Sequence, residues 1–324
     1  MEIFLNRTKY NRLYSCDALS TSEWEKYSVR QANVTVPCLI LGTTYLLMYI
    51  PCMFVLFKRQ FFRKPCYKLM FLLGLLDISL TINTLIYGVL YAEGVIFCLA
   101  PSLHFILGVI TQTCWVGQCL TTAILIVVST IDAFSKSLSA RLFGGSRTFL
   151  FYGIIAIYMA YFALFAKPLI FSPSTIIPSY DPYASLPQSV IHIDRKEYFN
   201  IQALANNIVF LVVLLCSFTA LVIVLRRTKI EVHRKVQMKA IRQSGFICTL
   251  NIIPSAFFIA AQFVSVPWQW AFLFLFTWQM AIGVRGFMML CVNRSIRQAY
   301  FGIIFFHSKN SKTASVEPIR SNWI

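Results

Sequence analysis

Carboxylates are scarce in this chain: 12 Asp and Glu stand against 29 Lys and Arg in 324 residues, and there are only 4 His. Asp77 is the single carboxylate deep inside an apolar stretch, and His104 has no nucleophile placed to work with it. A hydrolase needs facing carboxylates, a Ser–His pair or a His-rich zinc motif, so no enzyme is expected. The ten cysteines contain no CxxC pair and no His/Cys cluster at ligand spacing, so neither a metal nor a cofactor is expected. A Gly-rich phosphate loop and a repeat of fixed period are also missing. Residues 1–30 carry scattered charges and no apolar core, so no cleavable signal peptide is read there and the first span is expected to act as the insertion signal.

What is present is apolar: 58% of the residues are hydrophobic and 13% charged, where soluble domains run at about 45–50% and about 25%. The net charge of +17 could suggest nucleic acid, but the cations sit in short connections between apolar runs, as the positive-inside bias describes. No nucleic-acid partner is expected; the bilayer is. The stretch 69–130 shows the design. Two runs, 69–92 and 102–130, each exceed the about 20 residues that cross about 30 Å of hydrocarbon, and a turn without Lys or Arg joins them. Asp77, Thr81, Thr84 and Gly88 share one helical face of the first, and His104, Gly108, Thr111, Trp115 and Gln118 one face of the second. Polar stripes in lipid turn toward protein or a cavity, so further helices must pack around this pair.

The same reasoning along the chain gives an extracellular segment 1–35, a bundle 36–300 with spans at about 36–57, 69–92, 102–130, 149–171, 200–225, 244–264 and 268–292, and a cytoplasmic tail 301–324. Asn6 begins a glycosylation sequon, and Asn33 begins a second that abuts the membrane. The connections after spans one, three and five are basic, whereas the long loop 172–199 is nearly neutral. The fold expected is an all-α membrane protein, a seven-transmembrane helix bundle with its N-terminus outside and its C-terminus cytoplasmic. Pro254 is expected to kink span six, and Ile296, Tyr300, Phe301 and Ile304 could line one face of a helix resting on the inner leaflet.

Certain residues carry a resemblance. Gly42, Tyr45, Tyr49 and Pro51 stand in span one; Leu73-Gly74 and Asp77 follow, then Gly94, Phe97-Cys98 and Pro101. Asp181-Pro182, Cys248, Asn251, Gln262-Phe263, Trp278-Gln279, Gly283, Asn293 and Ile296-Arg297 continue it to position 297. In this order and spacing the chain resembles the nematode chemoreceptors called serpentine receptors, class T, within the G-protein-coupled receptor architecture. The resemblance implies a chemosensory receptor in the plasma membrane, or in the ciliary membrane of sensory neurons, that binds a small molecule from outside and signals to a heterotrimeric G protein. Two departures stand out: Ile131-Asp132 where the family carries Asn-Arg, which puts ordinary coupling in doubt, and Arg285 where it tends to have Pro.

Asp77 and Arg285 each lie about eight residues from the inner end of a span, hence about 12 Å deep at 1.5 Å per residue. They pair inside the bundle in one reading; in the other, water solvates Asp77 and Arg285 snorkels to the inner face. A ligand cavity would open outward between spans three, five, six and seven, with His104, Thr111, Trp115, Gln202, Asn206, Asn207, Gln262, Trp278 and Gln279 as candidate anchors; the same residues could serve interhelical hydrogen bonding instead. Receptors of this architecture often staple the top of span three to the second outer loop. That loop has no cysteine here, so Cys98 either bridges to Cys16 or both stay free thiols. Arg226, Arg227, Lys229, Arg234, Lys235, Lys239 and Arg242 form the candidate G-protein-facing surface and also mark topology. The alternative class is a transporter or channel for a small solute. Neither inverted repeats nor paired broken helices appear, and seven spans do not halve.

Overall fold

The computed structural model describes residues 7–184, 186–187, 190–191, 193–227, 234–264, 266–292 and 294–306. Asn6 lies outside them. Two short helices, α1 (Arg7–Tyr14) and α2 (Thr21–Glu25), precede the bundle. The crossing helices are α3 (Ala32–Phe57), α5 (Pro65–Glu93), α6 (Pro101–Phe134), α8 (Arg147–Phe165), α9 (Ile201–Arg227), α10 (Arg234–Ala260) and α11 (Trp268–Val292). Short helices α4 (Arg59–Phe62) and α7 (Lys136–Phe143) fill two inner connections, and α12 (Arg294–Phe306) follows the last crossing. Six of the seven are long and apolar enough to cross a membrane; the seventh, α10, contributes a shorter apolar part, Gly245–Ala260. Among the described residues there is no strand, only one isolated bridge between Ile170 and Ser179. This is an all-α, seven-crossing membrane bundle.

Local chemistry sets the helix limits. Proline opens both α5 and α6, where the missing N–H is one that the first helical turn cannot use anyway. The helix therefore starts at Pro65, one turn before the uninterrupted apolar run begins at Leu69. Gly94 ends α5 in the left-handed conformation, φ 71°, with its N–H on the Leu90 carbonyl. Pro37 and Pro51 lie inside α3, and Pro254 inside α10.

Packing closes a ring. α3 lies on α5 and α11, α5 on α6, α6 on α8, α9 and α10, and α10 on α9 and α11. The faces left outward are apolar: Ile40, Leu47 and Phe54 of α3 are 60–68% exposed, and Leu150 and Ile157 of α8 are 68% and 73%. Lipid tails are as apolar as these side chains, so such faces are at no disadvantage in a bilayer and would be costly in water. One large buried cluster occupies the outer and middle parts of the bundle, and a second joins the inner ends of α3, α5 and α6 to α12. Ile296 and Tyr300 dock α12 into that inner cluster, Phe301 stays exposed, and the Ile304 side chain lies outside the described residues.

The outer end is capped by the N-terminal segment and the loop after α8. Cys16 and Cys98 form a disulfide, with their Cα atoms 5.4 Å apart. Trp24 donates its ring N–H to the Cys16 carbonyl at 3.0 Å. Tyr183 and Tyr198 donate their hydroxyls to the carbonyls of Ser15 (2.7 Å) and Leu13 (2.5 Å), and Arg12 pairs with Glu197. Ser28 reaches the Gly94 carbonyl at 2.7 Å. A Cβ at Gly94 would come within 2.5 Å of the Ser28 oxygen and would have to accept a left-handed backbone. We expect Gly94→Ala to lower stability by about 1–2 kcal/mol, read as a fall in the melting temperature of the detergent-solubilised protein; an unchanged melt would mean that this turn does not anchor the cap.

Candidate functional site

Two polar constellations stand out in the bundle. The deeper one centres on Asp77, fully buried on α5. Arg285 of α11, 3% exposed, places Nη2 2.6 Å from Asp77 Oδ1. Gln118 of α6 donates its side-chain amide to the same oxygen. The Tyr49 hydroxyl of α3 lies 2.7 Å from Asp77 Oδ2 and 2.6 Å from the Ile282 carbonyl, and accepts the Gly286 N–H at 3.0 Å. Its single proton serves one of those two acceptors at a time. Four helices therefore meet at one carboxylate. Arg285 Nε and Nη1 and Gln118 Oε1 keep no partner among the described residues.

The physical cause is the solvent. A charge in hydrocarbon costs several kcal/mol, and charge-assisted hydrogen bonds offset this where both partners are dry. Small residues let the helices approach: Gly286 lies 3.0 Å from the Tyr49 ring by its ideal Cβ position, and Gly283 lies against the Tyr45 ring.

The second constellation is a cavity of about 920 Å³ at the outer end, between the loop that follows α8 and the outer end of α10. Leu169, Ile177, Tyr180, Tyr198, Phe258 and Val266 supply apolar wall; Asp181, Arg195, Gln262 and Ser174 supply polar groups. Arg195 donates to the carbonyls of Ala184 (2.8 Å) and Leu186 (2.5 Å) and stands 3.4 Å from Asp181 Oδ2. Asp181 also accepts the Tyr183 N–H at 2.8 Å. Burial raises the Asp181 carboxyl above the ordinary aspartate range, against the lowering pull of that N–H and of Arg195.

Of the nine sequence-derived anchors only Gln262 borders this cavity. Six of the others lie deeper in the bundle, whereas His104 and Gln202 stand in the first turns of α6 and α9 at the outer end. Thr111 accepts from Asn83 at 2.7 Å, and Trp115 donates to Asn207 Oδ1 at 2.9 Å. Asn206 accepts from Tyr158 at 3.0 Å and donates to Asn207 at 3.1 Å; Gln279 donates to Cys38 Sγ at 2.9 Å. His104 Nδ1 sits 3.1 Å from the Ala100 carbonyl, and Gln202 is half-buried in the first turn of α9. Trp278 stacks on Phe171, ring centres 5.6 Å apart.

The reason is the outer loop, which dips between the helices. Phe171 also meets Tyr87 at 4.3 Å, Tyr91 donates to the Ile176 carbonyl at 3.1 Å, and Tyr180 donates to Gln112 at 3.1 Å. The loop occupies the volume that the interhelical polar residues would otherwise line. Lys167 is likewise turned to that loop, donating to the Glu197 and Phe199 carbonyls. Sequence reasoning missed Asp181, Arg195 and Tyr198 as cavity walls; aromatics spaced through an otherwise polar loop were the available signal.

On the inner side, Lys229 lies outside the described residues, as do the side chains of Arg226, Arg227, Arg234, Lys235, Lys239, Arg242 and Asp132. Among the described residues no group of three or more His, Cys, Asp or Glu could hold a metal ion.

A seven-crossing bundle with a capped outer cavity and a charged node joining four of its helices has the form of a membrane receptor. The chain matches the family described as Serpentine type 7TM GPCR chemoreceptor Srt over residues 2–313, and it belongs to that family. It is 22% identical over 304 residues to Serpentine receptor class T-55 of Caenorhabditis elegans, covering 93% of this chain and 82% of that relative.

Removing one partner of a buried ion pair costs about 3–5 kcal/mol, because the other charge is left behind. Asp77→Leu and Arg285→Met are each expected to abolish most surface expression. The double variant is expected to recover stability to within about 1–2 kcal/mol, since apolar residues can replace a buried pair. Surface labelling and thermal melts check this; single variants that melt like the parent would refute the pairing's role.

A second expectation concerns pH. Because the folded Asp181 carboxyl titrates above its unfolded value, its contribution to stability is full below the unfolded value and is lost as pH rises through the folded one. The melting difference between the parent and Asp181→Asn should therefore move against the parent as pH rises from about 4 to about 7; a difference that grows in the parent's favour would overturn it.

Proposed function

We propose that the protein is a chemosensory receptor whose outer cavity takes a small molecule and whose inner face engages a heterotrimeric G protein. It acts in the plasma membrane, including the ciliary membrane of sensory neurons, and performs no catalysis. The observation that carries this reading is the outer cavity of about 920 Å³, whose size and mixture of apolar wall with few polar groups match small-molecule sites.

The polar groups narrow the ligand. The Asp181 carboxylate is already engaged by Arg195 and the Tyr183 N–H. Gln262 Nε2 and Ser174 Oγ, both on cavity-lining residues, are buried and have no partner among the described residues, so a turn of either side chain presents a free polar group to the cavity. Beside a largely apolar wall these two groups are the polar anchors a ligand would find unengaged, which favours a largely apolar molecule bearing a carbonyl or ester oxygen. Phe258 lines the cavity and also meets Trp115 at 5.1 Å and Trp278 at 6.4 Å. Trp278 lies two turns above Arg285 on α11, so a ligand that displaces Phe258 pushes on the helix that carries the buried guanidinium. Binding one helix arrangement better than another shifts the population toward it.

The test is a second-messenger assay on expressed receptor across apolar ketones, aldehydes and esters, with ion and solute flux recorded in parallel. We expect a concentration-dependent second-messenger response without flux, and a potency loss of about fivefold to tenfold in Gln262→Leu at unchanged surface expression, the weight of one hydrogen bond. Flux without a second-messenger response would make the protein a carrier or channel.

A further inference from the structure

A second cavity, of about 480 Å³, lies at the inner end, where the connection from α3 to α5 meets the start of α8. Phe57, Phe62 and Phe149 form its apolar side, and Arg59, Arg63 and Lys68 its cationic side. Residues 58–68 and 135–148, the two inner connections that meet here, together hold 8 Lys or Arg and no Asp or Glu.

The site is built rather than fortuitous. Lys68 is 6% exposed; its ammonium donates to the Gly145 carbonyl at 2.6 Å and lies 4.6 Å from the centre of the Phe149 ring. Its own carbonyl accepts the Tyr152 hydroxyl. These contacts clamp the first turn of α5 to the first turns of α8 and fix the floor. Above that floor Arg59 and Arg63 are exposed, and their guanidinium groups make no ion pair or hydrogen bond with a described residue. The N-terminus of α8 opens at Ser146, whose side chain makes no capping bond, and adds positive potential.

The apolar side selects among phosphate-bearing ligands. Phe57 and Phe149 are 66% and 48% exposed on faces that continue the lipid-facing surface of α3 and α8. A soluble phosphate would leave those rings unused. A lipid would use both halves, with acyl chains along the rings and a phosphate in the forks of two guanidinium groups. Basic pockets between membrane helices on the cytoplasmic side suit anionic headgroups in this way. We propose that this cavity binds an anionic phospholipid of the cytoplasmic leaflet, its phosphate held by Arg59 and Arg63 and its chains by Phe57, Phe62 and Phe149.

The test uses the full chain in nanodiscs of phosphatidylcholine doped with a phosphatidylinositol bisphosphate, with lipid retention counted by native mass spectrometry. Selective retention of the anionic lipid is expected. Arg59→Gln/Arg63→Gln should weaken it about 25-fold, at about fivefold per cation lost near an anionic surface. Arg59→Lys/Arg63→Lys, which keeps the charge but loses the forks, should fall between the parent and the Gln pair, and Arg141→Gln should change retention less than about twofold, since Arg141 lies off the cavity. A photoactivatable form of the lipid should crosslink to the parent protein within residues 57–68 or 144–152, which needs no variant to fold. Equal loss in Arg141→Gln, crosslinks elsewhere, or competition by soluble inositol phosphate as strong as by the lipid would each overturn the proposal.

Discussion

The bundle rests on an exchange of solvents. Hydrocarbon accepts the apolar faces of α3 and α8 freely but refuses an unpartnered charge, so the one deep carboxylate must be answered from within. Asp77 is answered from three other helices at once, by Tyr49, Gln118 and Arg285. That convergence fixes how far α11 stands from α3 and α5, and with it the small residues at Gly283 and Gly286, where a side chain would collide with Tyr45 or Tyr49. The Tyr49 hydroxyl, shared between Asp77 and the Ile282 carbonyl, gives the node two arrangements of one proton and makes it a joint rather than a weld.

Above the node, function and architecture divide the bundle by height. Aromatic rings fill the middle, where Phe171, Trp278, Phe258 and Phe274 meet in succession. The outer cavity begins where that stack ends, under a loop held by carbonyl-directed tyrosines. Below the node the connections turn cationic and the helices end among phenylalanines exposed to lipid. Apolar contact dominates the outer level, a buried charge the middle one and cationic connections the inner one.

Much of this was legible in residue order. The apolar runs, the alternation of basic and neutral connections and the polar stripes gave the seven crossings, because bilayer thickness and the positive-inside bias act on sequence directly. Counting residues along regular α-helix put Asp77 and Arg285 at one level and left pairing and snorkelling both open; the two side chains pair. Long-range pairing within irregular chain did not follow. That Tyr183 and Tyr198 reach Ser15 and Leu13, or that Tyr180 reaches Gln112, depends on how a loop folds back over nearly its whole length, and no periodicity encodes it. For the same reason the polar residues of α6, α9 and α11 read as cavity anchors, although the loop fills the space they would have lined.

The bond between Cys16 and Cys98 closes a covalent ring over a sequence separation of 82, with the first two crossings inside it. Residues 17–31 leave slack between that bond and α3, and the outer ends of the two crossings are held to each other by the Gln31 N–H on the Tyr91 carbonyl at 3.0 Å and by Ser28 on the Gly94 carbonyl at 2.7 Å. The disulfide and these two bonds together hasp the cap to the first leaf of the bundle, so parting that leaf means breaking the cap's own hydrogen bonds, whereas the later helices carry no such tie to the N-terminal segment through a covalent bond.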